Sequence, residues 1–190
     1  LKILAIQSSP NKDGLTSSLA QAALDGAAAA GAEVELVHLN SLSIKPCQAC
    51  GTGWGHHFDK EAKLGPDQCI HNDDFAALRE KIANADGLVF STPVYFADLS
   101  ESAKVFLDRL RRTHFPVRQE SPFTDKLVVS IAAAGGSGNG AIGAAANLET
   151  YFLKSMGMKR VATFPATRQT KDVDLSTARQ AGELLATTKS

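Results

Sequence analysis

The sequence predicts an α/β fold, a doubly wound sheet of five parallel strands with helices on both faces. Short apolar segments alternate with segments of helical periodicity, and the connections between them carry turn chemistry, which is the pattern of a parallel sheet. The third observation is size. With 190 residues, 44% of them hydrophobic and 21% charged, the chain is expected to form one globular domain that buries about 70% of its unfolded surface.

The first strand is Lys2 to Gln7, short and apolar, and it runs at once into Ser8-Ser9-Pro10-Asn11. Leu15, Leu19, Ala22, Ala23 and Leu24 then recur near helical spacing, and Gly31 stands where a helix would stop, so a helix over about 16–30 follows. Glu33 to Leu39 alternates and makes the second strand. Residues 40–72 show no clear periodicity, and so long a stretch inside a compact domain is uncommon unless it is functional. Asp73-Asp74 opens a helix carrying Phe75, Leu78 and Ile82, and Asp86-Gly87 turns it into the third strand, Leu88 to Ser91. After a predicted loop, Thr92-Pro93-Val94-Tyr95-Phe96, comes a helix carrying Ala103, Phe106, Leu107 and Leu110. The strand Lys126 to Ala133 runs into a glycine-rich turn, Ala134 to Gly140. A helix over about 141–156, a last strand from Lys159 to Phe164 and a helix over 173–188 complete the chain.

Charge and composition exclude several classes of protein. Twenty basic residues balance twenty acidic ones, so the basic surplus that drives binding to nucleic acid is absent. No apolar run approaches the twenty residues of a membrane span, and Leu1 to Ile6 is too brief for a signal-peptide core. A cytoplasmic protein is expected, with no membrane or nucleic-acid partner. One local excess remains: Lys104, Arg109, Arg111, Arg112 and Arg118 face only Asp108, which reads as a solvated helix face or a dock for a small phosphate. Three cysteines, Cys47, Cys50 and Cys69, cannot frame a secreted disulfide scaffold.

In open parallel sheets ligands bind beyond the carboxyl ends of the strands. Three predicted loops meet there. The first carries the hydroxyls of Ser8, Ser9, Thr16, Ser17 and Ser18, the Asn11 amide and Gly14 ahead of a helix, a set suited to a phosphate and equally to a serine-rich helix cap. It has neither the G-x-x-x-x-G-K-[ST] nor the G-x-G-x-x-G pattern, which favours a monophosphate. The second exposes Val94, Tyr95 and Phe96 after a proline; the third offers Gly135, Gly136 and Gly138 for close backbone approach. A phosphate loop beside two loops suited to a planar ring points to FMN.

The runs Ser8 to Thr16, Ala85 to Phe96 and Lys104 through Asp108-Arg109 resemble the flavodoxin-like NAD(P)H-dependent FMN reductase family, and within it the iron–sulfur flavoproteins. The resemblance spans roughly residues 2–164. It implies strand order 2-1-3-4-5 in a single FMN-binding domain over 1–190, with a long Cys/His-containing loop at about 40–72. It also implies the FMN phosphate at Ser9, Asn11, Thr16 and Ser17, and the ring against Pro93, Val94, Tyr95 and Phe96 with Gly135 and Gly136 beside it. Leu15 departs from the asparagine that often precedes the loop threonine.

Iron–sulfur relatives carry four closely spaced cysteines. Here Cys47 and Cys50 match, Gly53 replaces the third, and Cys69 follows after eighteen residues. Three thiolates do not complete an all-cysteine cluster; a cluster with a histidine ligand, and zinc held with one of His56, His57 or His71, stand beside an oxidisable dithiol or remnant turn, and no metal is assigned. Asp67 and Asp73 read as solvent-facing or capping, and Trp54 and Phe58 as walls of a substrate pocket.

The implied activity is transfer of hydride from NAD(P)H to flavin and of electrons to a small acceptor such as a quinone or free flavin. No side chain need act as nucleophile or base, and Arg109, Arg111 or Arg112 would meet the extra phosphate of NADPH or face solvent or a dimer interface. A homodimer or homotetramer is implied. The alternative is an FMN-binding electron-transfer or redox-sensing protein that uses Cys47 and Cys50 or a metal or cluster site.

Overall fold

A computed structural model describes residues 1–50, 69–114, 121–136 and 138–188. Its strands are β1 (Lys2–Gln7), β2 (Glu33–His38), β3 (Gly87–Tyr95), β4 (Asp98–Leu99), β5 (Leu127–Ala134) and β6 (Lys159–Thr167). Its helices are α1 (Leu15–Ala29), α2 (Phe75–Asn84), α3 (Glu101–His114), α4 (Ala141–Asn147) and α5 (Lys171–Thr187). The sheet order is β2-β1-β3-β5-β6, all parallel, and β4 pairs antiparallel with the end of β3. The doubly wound sheet is therefore as predicted, with one two-residue strand added.

Two apolar layers hold the sheet. Leu4, Ile6, Leu88, Phe90, Val128 and Ala132 face α2, α3 and the 148–154 segment, whereas Ile3, Ala5, Val89, Leu127, Val129 and Ile131 face α1 and α5. Because β1, β3 and β5 are covered on both sides, their sequences read as continuous apolar runs rather than as alternation. Phe90 lies at the centre of the first layer, 4.9 Å from Phe152 and 6.3 Å from Phe106 between ring centroids.

Three boundaries differ from those expected. The predicted loop Thr92 to Phe96 is largely strand: Thr92 and Pro93 continue the ladder with Ala132 and Ala133 of β5. β1 stops pairing with β3 at Ser91, so Pro93 occupies a strand with only one long neighbour, the edge setting in which proline is tolerated. The helix predicted over 141–156 is α4 followed by a π-helical stretch, Leu148–Lys154. Its wider turn brings Leu148, Phe152 and Leu153 onto the core together. The last strand runs three residues further, to Thr167, in register with Ala134.

Candidate functional site

The first loop leaves β1 at Ser8, whose N–H donates to the Ser91 carbonyl at 2.9 Å. From there the chain is held by bonds two residues apart. The Ser9 hydroxyl accepts the Asn11 N–H at 3.2 Å, and Asn11 Oδ1 accepts the Asp13 N–H at 3.0 Å. Those bonds use acceptor capacity only, leaving the Ser9 hydroxyl hydrogen and the Asn11 NH2 as donors. Helix α1 then begins after Gly14, with no side-chain cap and no acidic residue in its first turn.

Thr16 is 4% and Ser17 6% exposed, neither hydroxyl oxygen is fully enclosed, and among the described residues neither makes a hydrogen bond. The first intrahelical bond at this end runs from Ser18 N–H to Gly14 O at 3.0 Å, so the N–H groups of Leu15, Thr16 and Ser17 carry the positive end of the helix dipole unopposed. Leu15, which departs from the family pattern, starts the helix and is packed against the α1–α5 side of the core.

The segment carrying Pro93 to Phe96 approaches the same edge of the sheet. Pro93 is buried in β3, Val94 half-buried, and Tyr95 and Phe96 are exposed, Phe96 fully at 108%. The turn to β4 consists of Phe96 at φ +50° and Ala97 at φ +61°. Two left-handed residues between antiparallel strands make the primed turn whose twist suits a hairpin, usually built from Gly or Asn. Non-glycine residues there are strained, a cost that persists where the surroundings fix the backbone. Those surroundings include Gly140, at which a Cβ would lie 2.3 Å from Ala97 Cα, and Asn147, whose Nδ2 donates to Asp98 Oδ1 at 2.8 Å.

Gly135 and Gly136 form the bend after β5. A Cβ at Gly136 would meet nothing within 4 Å, and one at Gly135 would meet only Arg168 Nη2 at 3.9 Å, so both face open space. β1, β3 and β5 are consecutive in the sheet, which brings the three predicted segments to one edge. A hollow of about 460 Å³ is lined by Ser8, Pro10, Asn40, Tyr95, Ser102 and Pro46, the residue before Cys47, among others.

Sequence reasoning missed several residues behind this edge. Asn40 donates to the Ser8 carbonyl at 2.6 Å and to the Ser102 hydroxyl at 3.1 Å. Ser100 caps α3, accepting the Ala103 N–H at 3.3 Å, and donates to the Ser8 hydroxyl at 2.9 Å. Ser91 donates to the Thr16 carbonyl at 2.9 Å, tying α1 to β3. Apart from the Ser100 cap on Ala103, their partners lie 32 to 92 residues away in sequence, so no local pattern announces them; a polar residue in an apolar strand, as Gln7 and Ser91 are, is the one available signal.

The basic stretch is corrected most. Arg109 is 1% exposed and its Nη1 lies 2.6 Å from Asp73 Oδ2, also buried. The guanidinium stacks over Phe75 at 4.3 Å and donates to the Lys45 carbonyl at 3.3 Å and to Cys69 Sγ at 3.2 Å. Arg112 is buried as well and donates to the Cys50 carbonyl. These two arginines thus brace the cysteine segment from beneath and present no charge to an NADPH phosphate or to solvent. Asp73 is not solvent-facing; it caps the start of α2 through Phe75, as one of the two expected readings has it, and also pairs with Arg109. It takes the N–H groups of Lys45 and Phe75 at 2.9 and 3.2 Å. Burial pushes its carboxyl up, but the Arg109 bond and the two N–H donors outweigh that and hold it below the ordinary carboxylate range.

Cys47, Cys50 and Cys69 are free and partly accessible. Among the described residues no group of three or more His, Cys, Asp and Glu side chains is placed to hold a metal. Gly53, Trp54, His56, His57, Phe58, Asp67 and Arg118 lie outside the described residues. His71 contacts the Pro46 carbonyl at 3.1 Å. No helix among the described residues is long and apolar enough to cross a membrane.

The doubly wound sheet, the undercapped helix behind a hydroxyl-rich loop and the aromatic hairpin beside it define a flavodoxin-like protein of the flavoprotein class. The chain belongs to the NADPH-dependent FMN reductase family, whose model matches residues 1–171. It is similar to an iron–sulfur flavoprotein of Archaeoglobus fulgidus, 32% identical over 110 residues, or 58% of this chain and 46% of that one. An iron–sulfur flavoprotein of Methanocaldococcus jannaschii is 27% identical over 199 residues, covering 98% of this chain and 96% of that one. The chain thus spans less than half the length of the first relative and nearly all of the second. Among solved structures, an NAD(P)H:quinone oxidoreductase from Methanothermobacter marburgensis shares the fold, with a TM-score of 0.70 at 18% identity, 100% of this chain and 99% of that one being covered.

Proposed function

We propose that the chain is an FMN-dependent oxidoreductase that takes hydride from NAD(P)H and passes electrons to a small acceptor such as a quinone or free flavin. The observation that carries this reading is the pair of hydroxyls, Thr16 and Ser17, that make no hydrogen bond among the described residues and stand at an undercapped helix N-terminus. A phosphate monoester would take both hydroxyls together with the Ser9 and Asn11 donors and the free N–H groups of the first helical turn. Family membership supports FMN as its source.

Bound FMN would supply the hydride-accepting chemistry; the protein's part is to hold and orient. Ser9, Asn11, Thr16 and Ser17 grip the phosphate by neutral donors and the helix end, which agrees with the absence of a net basic charge. Pro93, Val94, Tyr95 and Phe96 form the platform for the ring. Gly135 and Gly136 leave room for its edge, with backbone N–H groups there and after Val94 available to oppose negative charge on it. The hollow beside Tyr95 and Pro46 has the size for a planar acceptor, with Leu39, Leu42, Ile44 and Val105 as apolar wall and Asn40 and Ser102 as polar groups. The fully exposed Phe96 supports a homodimer or homotetramer in which a second copy covers the hairpin. Three free thiols suit a reducing compartment such as the cytoplasm.

The test is anaerobic addition of NADPH, then NADH, to FMN-loaded protein. Loss of the flavin absorbance bands is expected with at least one donor, and its return on adding a quinone; unchanged bands with both donors would refute the reductase. In the Thr16→Ala/Ser17→Ala double variant the FMN dissociation constant should rise by about a hundredfold or more, since each of the two charge-assisted bonds is worth roughly 1.5–3 kcal/mol. Unchanged affinity would remove the phosphate from this loop.

A further inference from the structure

Gln7 ends β1 fully buried, 0% exposed, and its amide makes three bonds whose chemistry fixes the role of every atom. The Ser9 N–H can only donate, so the atom 2.5 Å from it is the carbonyl Oε1. Nε2 therefore carries two hydrogens. One points to the Ser9 carbonyl at 3.1 Å, and the other to Nδ1 of His38 at 2.9 Å, the residue opposite Gln7 in the β1–β2 ladder. Nδ1 is then an acceptor, and the ring's proton sits on Nε2.

Gln7 thereby grips both backbone groups of Ser9, and Ser9 begins the series of bonds that runs through Asn11 to Asp13. Resting on the reading that the FMN phosphate sits in this loop, we infer that Gln7, oriented by the neutral Nε2–H tautomer of His38, is a positioning residue that pre-sets the loop for a phosphate monoester. The side chain touches no phosphate itself. Its bonds order the loop ahead of binding, so that the ligand does not have to supply the ordering entropy. The effect is confined to ligands that carry the phosphate.

The experiment titrates the flavin-stripped protein with FMN and with riboflavin, which lacks the phosphate, and reads the ratio of their dissociation constants. Gln7→Leu should lower the preference for FMN roughly tenfold, the worth of about one well-made hydrogen bond in the order of 1.4 kcal/mol, while riboflavin affinity stays at the wild-type value. His38→Ala, which frees one Gln7 hydrogen, should lower the same ratio by less. In wild-type protein the imidazole 15N shifts should show Nδ1 unprotonated and Nε2 protonated, a signature that needs no variant to fold. An unchanged ratio in both variants, or a His38 protonated at Nδ1, would overturn the inference. If Thr16→Ala leaves the ratio unchanged while the His38 signature is as stated, the phosphate reading is what fails, and the inference falls with it.

Discussion

Replacing Asp73 by alanine is expected to destabilise the protein by about 3–5 kcal/mol, the usual cost of removing one partner of a buried ion pair. Arg109 would keep its Phe75 stacking and its bonds to the Lys45 carbonyl and Cys69 Sγ, but its charge would lie buried with no carboxylate. The Lys45 and Phe75 N–H groups would also lose their acceptor. Arg109→Met should be nearly as damaging, because it strands the carboxylate instead. The double variant Asp73→Ala/Arg109→Met should recover part of the loss, as removal of both charges does elsewhere. Urea midpoints of the four proteins at pH 7 check this, and additive losses in the double variant would show that the pair is not a unit. Arg109→Lys is not expected to substitute, since a single ammonium cannot reach Asp73, Lys45 and Cys69 together.

The same pair sets the acid limb of stability. The folded carboxyl of Asp73 lies below its ordinary value, so its contribution is complete above the unfolded value of about 3.9 and is lost as pH falls through the folded one. The stability difference between wild type and Asp73→Asn should therefore be flat from neutral pH down to about pH 5 and shrink below about pH 4. A difference that shrank near pH 7 would assign the effect to another group.

Gly182→Ala is the second large effect, and its sign opposes helix propensity. In an exposed helix, alanine in place of glycine gains about 1 kcal/mol. Here α5 crosses α1 so closely that a Cβ on Gly182 would lie 1.8 Å from the Ala23 carbonyl oxygen, and one on Gly26 would lie 1.9 Å from that of Arg179. Both obstacles are backbone, so no rotamer change relieves them and the helices must separate. That opens the layer formed by Leu19, Ala20, Ala23, Ala178 and Leu185. Each substitution should lower stability by at least about 2–3 kcal/mol, the upper part of the overpacking range. Thermal or denaturant midpoints measure it, and a midpoint at or above wild type would show that the helices part at little cost. Because α1 also carries Thr16 and Ser17 at its N-terminus, flavin retention should fall in the same variants.

The order of strands and helices was legible because each is written in a short window. Lys2 to Gln7 is an apolar run that meets Ser8-Ser9-Pro10, and Gly31 stops α1 close to where it is expected to. The hydroxyl-rich loop was legible for the same reason: Ser9, Asn11, Thr16 and Ser17 lie within nine residues. Where the reading failed, the deciding partner was distant. Thr92 and Pro93 look like a loop until β5 supplies Ala132 and Ala133 as ladder partners. The arginines of α3 look like a solvated face until residues 36 and 62 positions away, Asp73 and Cys50, draw Arg109 and Arg112 inward.

The sequence by itself determined the alternating elements, the neutral hydroxyl-rich loop and the family, because periodicity, turn chemistry and motif spacing are local properties of the chain. Only the tertiary structure decided which polar groups are paired. It buried Arg109 against Asp73, left the Thr16 and Ser17 hydroxyls without partners among the described residues, pressed Gly26 and Gly182 onto facing backbone and set Gln7 between Ser9 and His38. The physical reason is that burial and hydrogen bonding depend on what the folded chain brings close, and here those partners come from separate strands and helices.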